Sequence, residues 1–434
     1  MPTLARLFHL FGLPRLRGRE TLILAFVIDS LGTGLYQPFS LLYFQTVTRL
    51  DLAAIGSVLT IATFLTLPMN PVTGSLVDRF GARRLVVASH VLQAIGFIGY
   101  LVVRNLPMLF AMSFLVTAGN RIFYASATTL VATVADSDEQ GRWFAFVGSI
   151  QNFGLIVGGL LAGLIVAFGS TNSYYVLVLA NACSFLLTAL ALSWRRTTTG
   201  RAVTIQPDTQ RKQRETDQPG GYRVVLADRS FLVLFLCIVV FALCPSMLSL
   251  GLPIYITQAL KLPAATVGTL FAFNSVLVIC LQTITVRLLE PFRRTRSLSI
   301  ACLFWITGCT LMALAPQVPH ELLTPYLFGT SAITTIAGMI AGTISVALAA
   351  ASSPAHLLGR YMALFELAWG VAGAIAPAMF AWLYAAGPSR PWIALVGPIV
   401  IVGLVLLWLE TQLSTNSLYA PGRGENRSMP EQAG

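Results

Sequence analysis

An all-α integral membrane fold, with twelve transmembrane helices in two six-helix halves, is what this 434-residue sequence predicts. Three observations carry the prediction. Hydrophobic residues make up 56% of the chain and charged residues 10%, with a mean hydropathy of +0.76, outside the range of soluble globular domains. Apolar runs of roughly 20 residues, each long enough to cross a ~30 Å hydrocarbon core, recur along most of the length. The basic residues, finally, are sorted by side. A transmembrane barrel would show alternating segments of about ten residues, and none occur.

In order, the predicted spans are 21–46, 53–75, 85–103, 107–133, 143–168, 174–194, 231–257, 265–286, 298–316, 323–350, 359–386 and 392–412. The first is too long for the apolar region of a secretory signal and no small-residue cleavage pattern follows it, so it is expected to remain as helix 1. With both termini cytoplasmic, Arg49, Arg104, Lys261 and Arg390 face outward and Arg121 lies within a span. The remaining 23 of 28 Lys and Arg fall in the tails and even-numbered loops, as the positive-inside rule requires. The net charge of +11 is thus topological, and no nucleic-acid partner is expected. All six cysteines fall within spans without a CxxC pair, which reads as small apolar packing rather than a disulfide or metal site.

Residues 1–194 form the first half, and 195–229, polar, basic and punctuated by Pro and Gly, a cytoplasmic linker. Residues 230–412 form the second half, and 413–434 a cytoplasmic tail of disordered composition. The N-terminal "LARLFHLFGLPRLRGRE" reads equally as an amphipathic surface segment or as plain tail. The halves repeat weakly. A shift of 212 residues pairs Tyr43 with Tyr255, Gly56 with Gly268, Asp78 with Glu290, Phe80 with Phe292, Arg84 with Arg296 and Gly96 with Gly308; a shift of 218 aligns "GRWFAF" with "GRYMAL". Two six-helix halves joined by a linker is the parallel-repeat plan of one large transporter class.

Between spans 2 and 3 lies "GSLVDRFGARR", with Gly74, Asp78, Arg79, Gly81, Arg83 and Arg84. Glycines there permit close approach and a tight reversal, and an acid can accept hydrogen bonds from a helix N-terminus. The segment resembles the signature loop of the major facilitator superfamily, and the resemblance extends over essentially the whole chain. It implies two pseudo-symmetric bundles around a central cavity. It also implies that Asp78 meets the start of helix 11 to hold an inner gate, and that the arginines pair with an acid ending helix 4, here Asp136. Ala82 stands where the family often has a basic residue, with Arg83 beside it. The alternative is that these arginines only enforce topology. In helix 5, "GLIVGGLLAG" with Gly154, Gly158, Gly159 and Gly163 resembles the superfamily's antiporter motif, Gly159 standing at the proline position. Its small residues are expected to let helix 5 approach a helix of the other half; ordinary small-residue packing is the alternative.

Three ionisable residues lie well inside spans: Asp29, Arg121 and Glu366. A charge at mid-bilayer costs at least ~2.5–3.5 kcal/mol, so each should face a cavity or a partner. Arg121 matches the arginine of the superfamily's helix-4 motif. Asp29 and Arg121 are expected to form a pH-sensitive pair for proton coupling, with a permanent ion pair as the structural alternative. Glu366 reads as a second protonation site, an anchor for a cationic substrate, or an inner-mouth residue bonded to a neighbouring helix. Tyr36, Gln37, Tyr43, Tyr124, Asn152, Tyr255 and Trp369 are candidate cavity residues, aromatic faces suiting flat or cationic compounds; packing or an interfacial belt is the alternative for each.

Together these features predict a secondary transporter without cofactor. It is expected to be a proton-driven exporter of small amphiphilic molecules, monomeric, in lipid at the plasma membrane, by alternating access. Uptake or exchange of a metabolite on the same fold is the near alternative. A non-transporting membrane sensor is another class, with no added signalling domain to support it. A membrane enzyme would need clustered nucleophiles or histidines, whereas His9, His90, His320 and His356 are scattered, and no nucleotide-binding loop appears.

Overall fold

The computed structural model describes residues 19–134, 140–167, 171–194, 225, 227–289, 291–354 and 357–412. The N-terminal segment, most of the linker, the tail and Asp136 therefore lie outside the described residues, as does the side chain of Asp78. The described residues form helices in the order the hydrophobic runs predict. In the first unit, Met1–Glu215, these are α1 (Glu20–Thr48), α2 (two segments, Leu52–Thr66 and Met69–Phe80), α3 (Ala82–Tyr100), α4 (Leu106–Val134), α5 (Gln140–Ala167) and α6 (Thr171–Trp194). In the second, Thr216–Gly434, they are α7 (Arg229–Ile254), α8 (Ala264–Leu289), α9 (Arg294–Leu314), α10 (His320–Ala351), α11 (Leu358–Ala386) and α12 (Arg390–Leu409).

Ten of the twelve are long and apolar enough to cross a membrane. The exceptions are informative. Pro68 sits at the break between the two segments of α2, where a ring without an N–H cannot continue the ladder. Helix α3 carries Arg83, Arg84, Ser89, His90 and Gln93, more polarity than a lipid-facing helix tolerates. Helix α1 bends at the short 3-10 turn Gln37–Phe39, which contains Pro38. Helix α7 ends in a wide turn over Tyr255–Ala259 that follows Pro253.

Each unit uses the same four helix pairings. In the first, α1 packs on α5, α2 and α3 on α4, and α3 on α6; in the second, α7 packs on α11, α8 and α9 on α10, and α9 on α12. The repeat extends to single bonds. Tyr43 donates its hydroxyl to the Tyr100 carbonyl at the end of α3 at 2.9 Å. Tyr255, 212 residues on, donates to the Met312 carbonyl near the end of α9 at 2.6 Å. Both tyrosines are fully buried. They are tethers within their units and not the cavity residues the sequence suggested, because a phenol enclosed by apolar side chains must find a partner inside.

Candidate functional site

Helix α1 is held at backbone distance from α5. A Cβ on Gly34 would stand 2.7 Å from the Leu155 carbonyl oxygen, and one on Gly158 would strike the Leu31 carbonyl and Gly34. A Cβ on Gly154 would meet Ser30, and one on Gly32 would meet Ser184 and Asn181 of α6. Gly154 and Gly158 of helix 5 thus seat α5 on α1 of the same unit. Three of the small residues are needed for that fit, Gly34, Gly154 and Gly158, while Gly32 lets α1 approach α6. Gly159 and Gly163 are buried, but a Cβ on Gly159 would have only Pro38 as a side-chain neighbour, at 3.9 Å.

Directly beside this crossing sits Asp29, buried to 6% exposure. Its partner is His90 of α3. His90 Nε2 lies 3.1 Å from Asp29 Oδ1, and its Nδ1 lies 2.8 Å from the Val86 carbonyl one turn earlier. The imidazole is fully buried, edge-on to Phe123 of α4 at 4.8 Å and against Phe185 of α6 at 5.6 Å. The elements explain the meeting. Helices α1 and α3 start on the same side, and Asp29 and His90 lie nine and eight residues in, so both sit roughly 12–13 Å along their helices at ~1.5 Å per residue.

Arg121 is not part of this contact, which corrects the pairing the sequence suggested. It makes no ion pair or side-chain hydrogen bond among the described residues. At about 100° per residue, Arg121 and Phe123 point to nearly opposite sides of α4, so the face that packs Phe123 against His90 and Phe26 turns Arg121 away. Arg121 instead shares a face with Tyr124, which is 56% exposed. Asn120 and, on α5, Asn152 are also exposed. On α11, Glu366 is exposed, and Trp369, one turn on and on the same face, is 36% exposed. Tyr36 packs edge-on against Phe97 at 4.7 Å and stacks near Tyr100, while Gln37 is exposed on the bend of α1.

A sequence model described as the Major Facilitator Superfamily matches residues 22–323 and 234–431. The chain belongs to the Major Facilitator Superfamily. Among curated relatives, multidrug resistance protein MdtH of Sodalis glossinidius (strain morsitans) is 25% identical over 407 residues, covering 90% of this chain and 94% of the relative. MdtH of Cronobacter sakazakii (strain ATCC BAA-894) is 26% identical over 403 residues, covering 91% and 94%. Solved structures share the fold. The nucleoside transporter NupG superposes with a TM-score of 0.70 at 12% identity, covering 91% of this chain and 99% of its own. A bacterial homologue of the iron transporter ferroportin gives 0.71 at 14% identity, covering 92% and 99%. The protein is a multi-pass membrane transporter with the superfamily's twelve-helix fold, not an enzyme.

The superfamily's signature segment is mostly helical here. Gly74 lies inside α2, exposed, with open space among the described residues where a Cβ would stand. Gly81 makes the reversal, at φ 83°, a left-handed conformation that glycine adopts without strain. Arg79 and Arg84 are exposed, Arg79 lying 5.3 Å from the Phe80 ring centre. Arg83 donates from Nε to the Leu192 carbonyl at 2.8 Å, with Nη2 donating to the same oxygen. A cation on the last carbonyls of α6 complements the helix dipole. The segment binds the start of α3 to the end of α6.

The missed residue was His90. The signal was partly available: a histidine five residues into the third predicted span and Asp29 eight into the first, with both spans entering from one face. Arg121, on a helix of opposite direction, lies thirteen residues before Val134, or about 20 Å from that face, and so more than a turn deeper than Asp29.

Proposed function

We propose that this transporter is a proton-driven exporter of small amphiphilic molecules, resident in the plasma membrane with cytoplasmic termini, working as a monomer by alternating access. The observation that carries the reading is Asp29, a carboxyl buried in the spanning part of α1 beside the close crossing with α5. A buried acid in a membrane span is maintained at a cost of at least ~2.5–3.5 kcal/mol when charged, and gaining or losing its proton beside a tight helix crossing ties protonation to helix position. Each charge moved across the membrane contributes about 2.3 kcal/mol per 100 mV. The relatives' description as multidrug resistance proteins supports export and a broad amphiphilic substrate class.

Half-buried Arg121 with exposed Tyr124 and Asn152 supplies polar and aromatic groups in the first unit, and Glu366 with Trp369 supplies a carboxyl beside an indole in the second. A carboxylate and an aromatic face on one side of a helix suit a lipophilic cation. Asp78 and Asp136 retain the gating role implied by the superfamily motif. Proteoliposomes carrying the full chain, loaded with ethidium and given an imposed pH gradient, test the reading. Wild-type protein should drive ethidium against its gradient, and Asp29→Asn should abolish the proton dependence. Proton-driven rates unchanged in Asp29→Asn would remove that acid from the mechanism.

A further inference from the structure

We propose that Asp29 and His90 form one proton-binding site, holding a single shared proton in the conformation observed here, with His90 as the second proton-carrying residue of the transport cycle. The hydrogen bonds require it. The Val86 carbonyl can only accept, so the Nδ1 that lies 2.8 Å from it carries a hydrogen. A neutral imidazole protonated at Nδ1 offers only a lone pair at Nε2. The 3.1 Å contact between Nε2 and Asp29 Oδ1 then needs a proton between two acceptors. That proton resides either on Asp29, as a carboxylic acid donating to neutral His90, or on His90, as an imidazolium donating to a carboxylate. Either way the pair is electrically neutral, which is the charge state that buried surroundings favour.

With Nδ1 keeping its hydrogen on the Val86 carbonyl, removing the shared proton leaves a carboxylate facing a lone pair, net charge −1, and the contact is repulsive. Adding a second proton gives a carboxylic acid beside an imidazolium, net charge +1, in a site with no counter-ion. Among the described residues no other ionisable side chain packs on the pair. Helix α4 presents Phe123, α6 presents Phe185, Asn181 and Ser184, and α5 presents glycine backbone. The ionisable residue of α4, Arg121, makes no ion pair with either partner. Departure of the shared proton therefore pushes α1 and α3 apart at this level, and its return draws them together. Because Gly34, Gly154 and Gly158 lock α1 to α5 a few residues away, separation at Asp29 is transmitted to the α1–α5 pair. The use of the site in transport rests on the proton-coupled reading above; the site itself does not.

The experiment has two arms. In the first, the full chain in lipid nanodiscs, labelled with 15N-histidine and 13C-aspartate, is titrated by NMR, with His90→Gln and Asp29→Asn assigning the signals. A shared proton makes the His90 nitrogens and the Asp29 carboxyl change over the same pH interval, and Asp29→Asn displaces the His90 curve. Separate intervals for the two groups, or a His90 curve unmoved by Asp29→Asn, overturn the site. Because each variant tests the partner's signal, failure of one to fold leaves the other decisive.

In the second arm, ethidium efflux from proteoliposomes is followed across a series of pH values. His90→Gln donates a hydrogen bond but carries no exchangeable charge, so the pH profile should flatten and proton-driven efflux fall by about tenfold or more, within the usual span of coupling effects. A lower rate with the wild-type pH profile marks His90 as a structural residue only and overturns its transport role. A flattened profile in Asp29→Asn alone has the same meaning while leaving the coupling reading standing. Wild-type profiles in both variants overturn the coupling reading, and the NMR arm then decides the site alone.

Discussion

The two halves of this transporter are built to one plan and differ where it matters for chemistry. They share the helix pairings and the tyrosine tethers at Tyr43 and Tyr255. The 212-residue shift carries Asp29 to Phe241 and His90 to Cys302, both buried. A phenyl ring and a thiol occupy, in the second half, the positions of the ionisable pair in the first. The scaffold is therefore compatible with apolar residues at this level, and packing alone gives no reason to hold an acid and an imidazole there. The helix crossing differs as well. Helices α1 and α5 meet backbone on backbone, whereas at Gly251 of α7 a Cβ would meet the Phe380 ring of α11. An aromatic ring is a softer spacer than a carbonyl. The half that carries the proton-sharing pair also has the tighter, less yielding contact beside it.

The sharpest way to break the comparison is to give the first half the apolar character of the second. His90→Leu alone strands the Asp29 carboxyl without a partner, and such broken buried pairs cost about 3 kcal/mol or more. Converting both, Asp29→Leu with His90→Leu, should recover most of that loss, because well-packed apolar replacements of buried pairs are often neutral or better. Thermal unfolding of the purified chain in detergent measures this. A double variant no more stable than the single one would mean that the halves are not equivalent at this level.

Next in size is the crossing itself. Gly158→Ala drives a methyl group into the Leu31 carbonyl and Gly34, and overpacking of this kind typically costs roughly 1–3 kcal/mol. Gly159→Ala, where the only side-chain neighbour is Pro38 at 3.9 Å, should be neutral or stabilising by about 0.5–1 kcal/mol, the usual gain of Ala over Gly in a helix. Expression and melting temperature of the two variants, compared side by side, check the asymmetry. Equal effects would mean that the close contact does not govern the packing of α1 on α5.

These contrasts show what a linear reading can and cannot reach. Span positions, the repeat and the tyrosine equivalence were legible because hydrophobic length and a constant shift are properties of the chain itself. The role of the glycines was half legible: their spacing announced a close crossing, but several helices were eligible partners. The Asp29 partner was misread because depth and facing combine only in three dimensions. Arg121 attracts by charge, yet the rotation of α4 that buries Phe123 points it elsewhere. His90 was passed over because a single histidine in an apolar span looks like packing until its ring nitrogens are seen to be engaged on both sides.

The tether comparison is expected to show sameness rather than difference. Tyr43→Phe and Tyr255→Phe each remove a buried donor from a helix-end carbonyl, at 2.9 Å and 2.6 Å respectively. Each carbonyl keeps a backbone partner, the Val103 N–H for Tyr100 and the Ala315 N–H for Met312, so losing the hydroxyl bond costs about 0.5–1.5 kcal/mol. Both variants should lower the melting temperature by similar amounts. A large drop in only one would show that the two tethers do different jobs despite their matching geometry.

The smallest effect separates the two clamps at the starts of α3 and α9. In the first half, Arg83 holds the Leu192 carbonyl, a neutral acceptor. In the second, Glu410 just past α12 accepts from Arg293 Nη1 at 2.5 Å, Thr295 Oγ1 at 3.1 Å and Arg296 Nε at 3.2 Å. Burial raises the proton affinity of Glu410, but the hydrogen bonds from Arg293, Arg296 and Thr295 outweigh it and hold the carboxyl below its ordinary value. A carboxyl depressed in the folded state stabilises the fold above its unfolded value of about 4.3, and that contribution is lost as pH falls through the lower folded-state value. Since Arg293 and Arg296 are 38% and 60% exposed, the contribution should stay below about 1 kcal/mol and shrink with added salt. Melting temperatures followed from pH 6 downward should therefore show a small acid-dependent loss that Glu410→Gln removes and Arg83→Gln leaves intact. If Arg83→Gln removes it instead, the acid sensitivity belongs to the first clamp, and the chemical distinction drawn between the two halves at this joint is wrong.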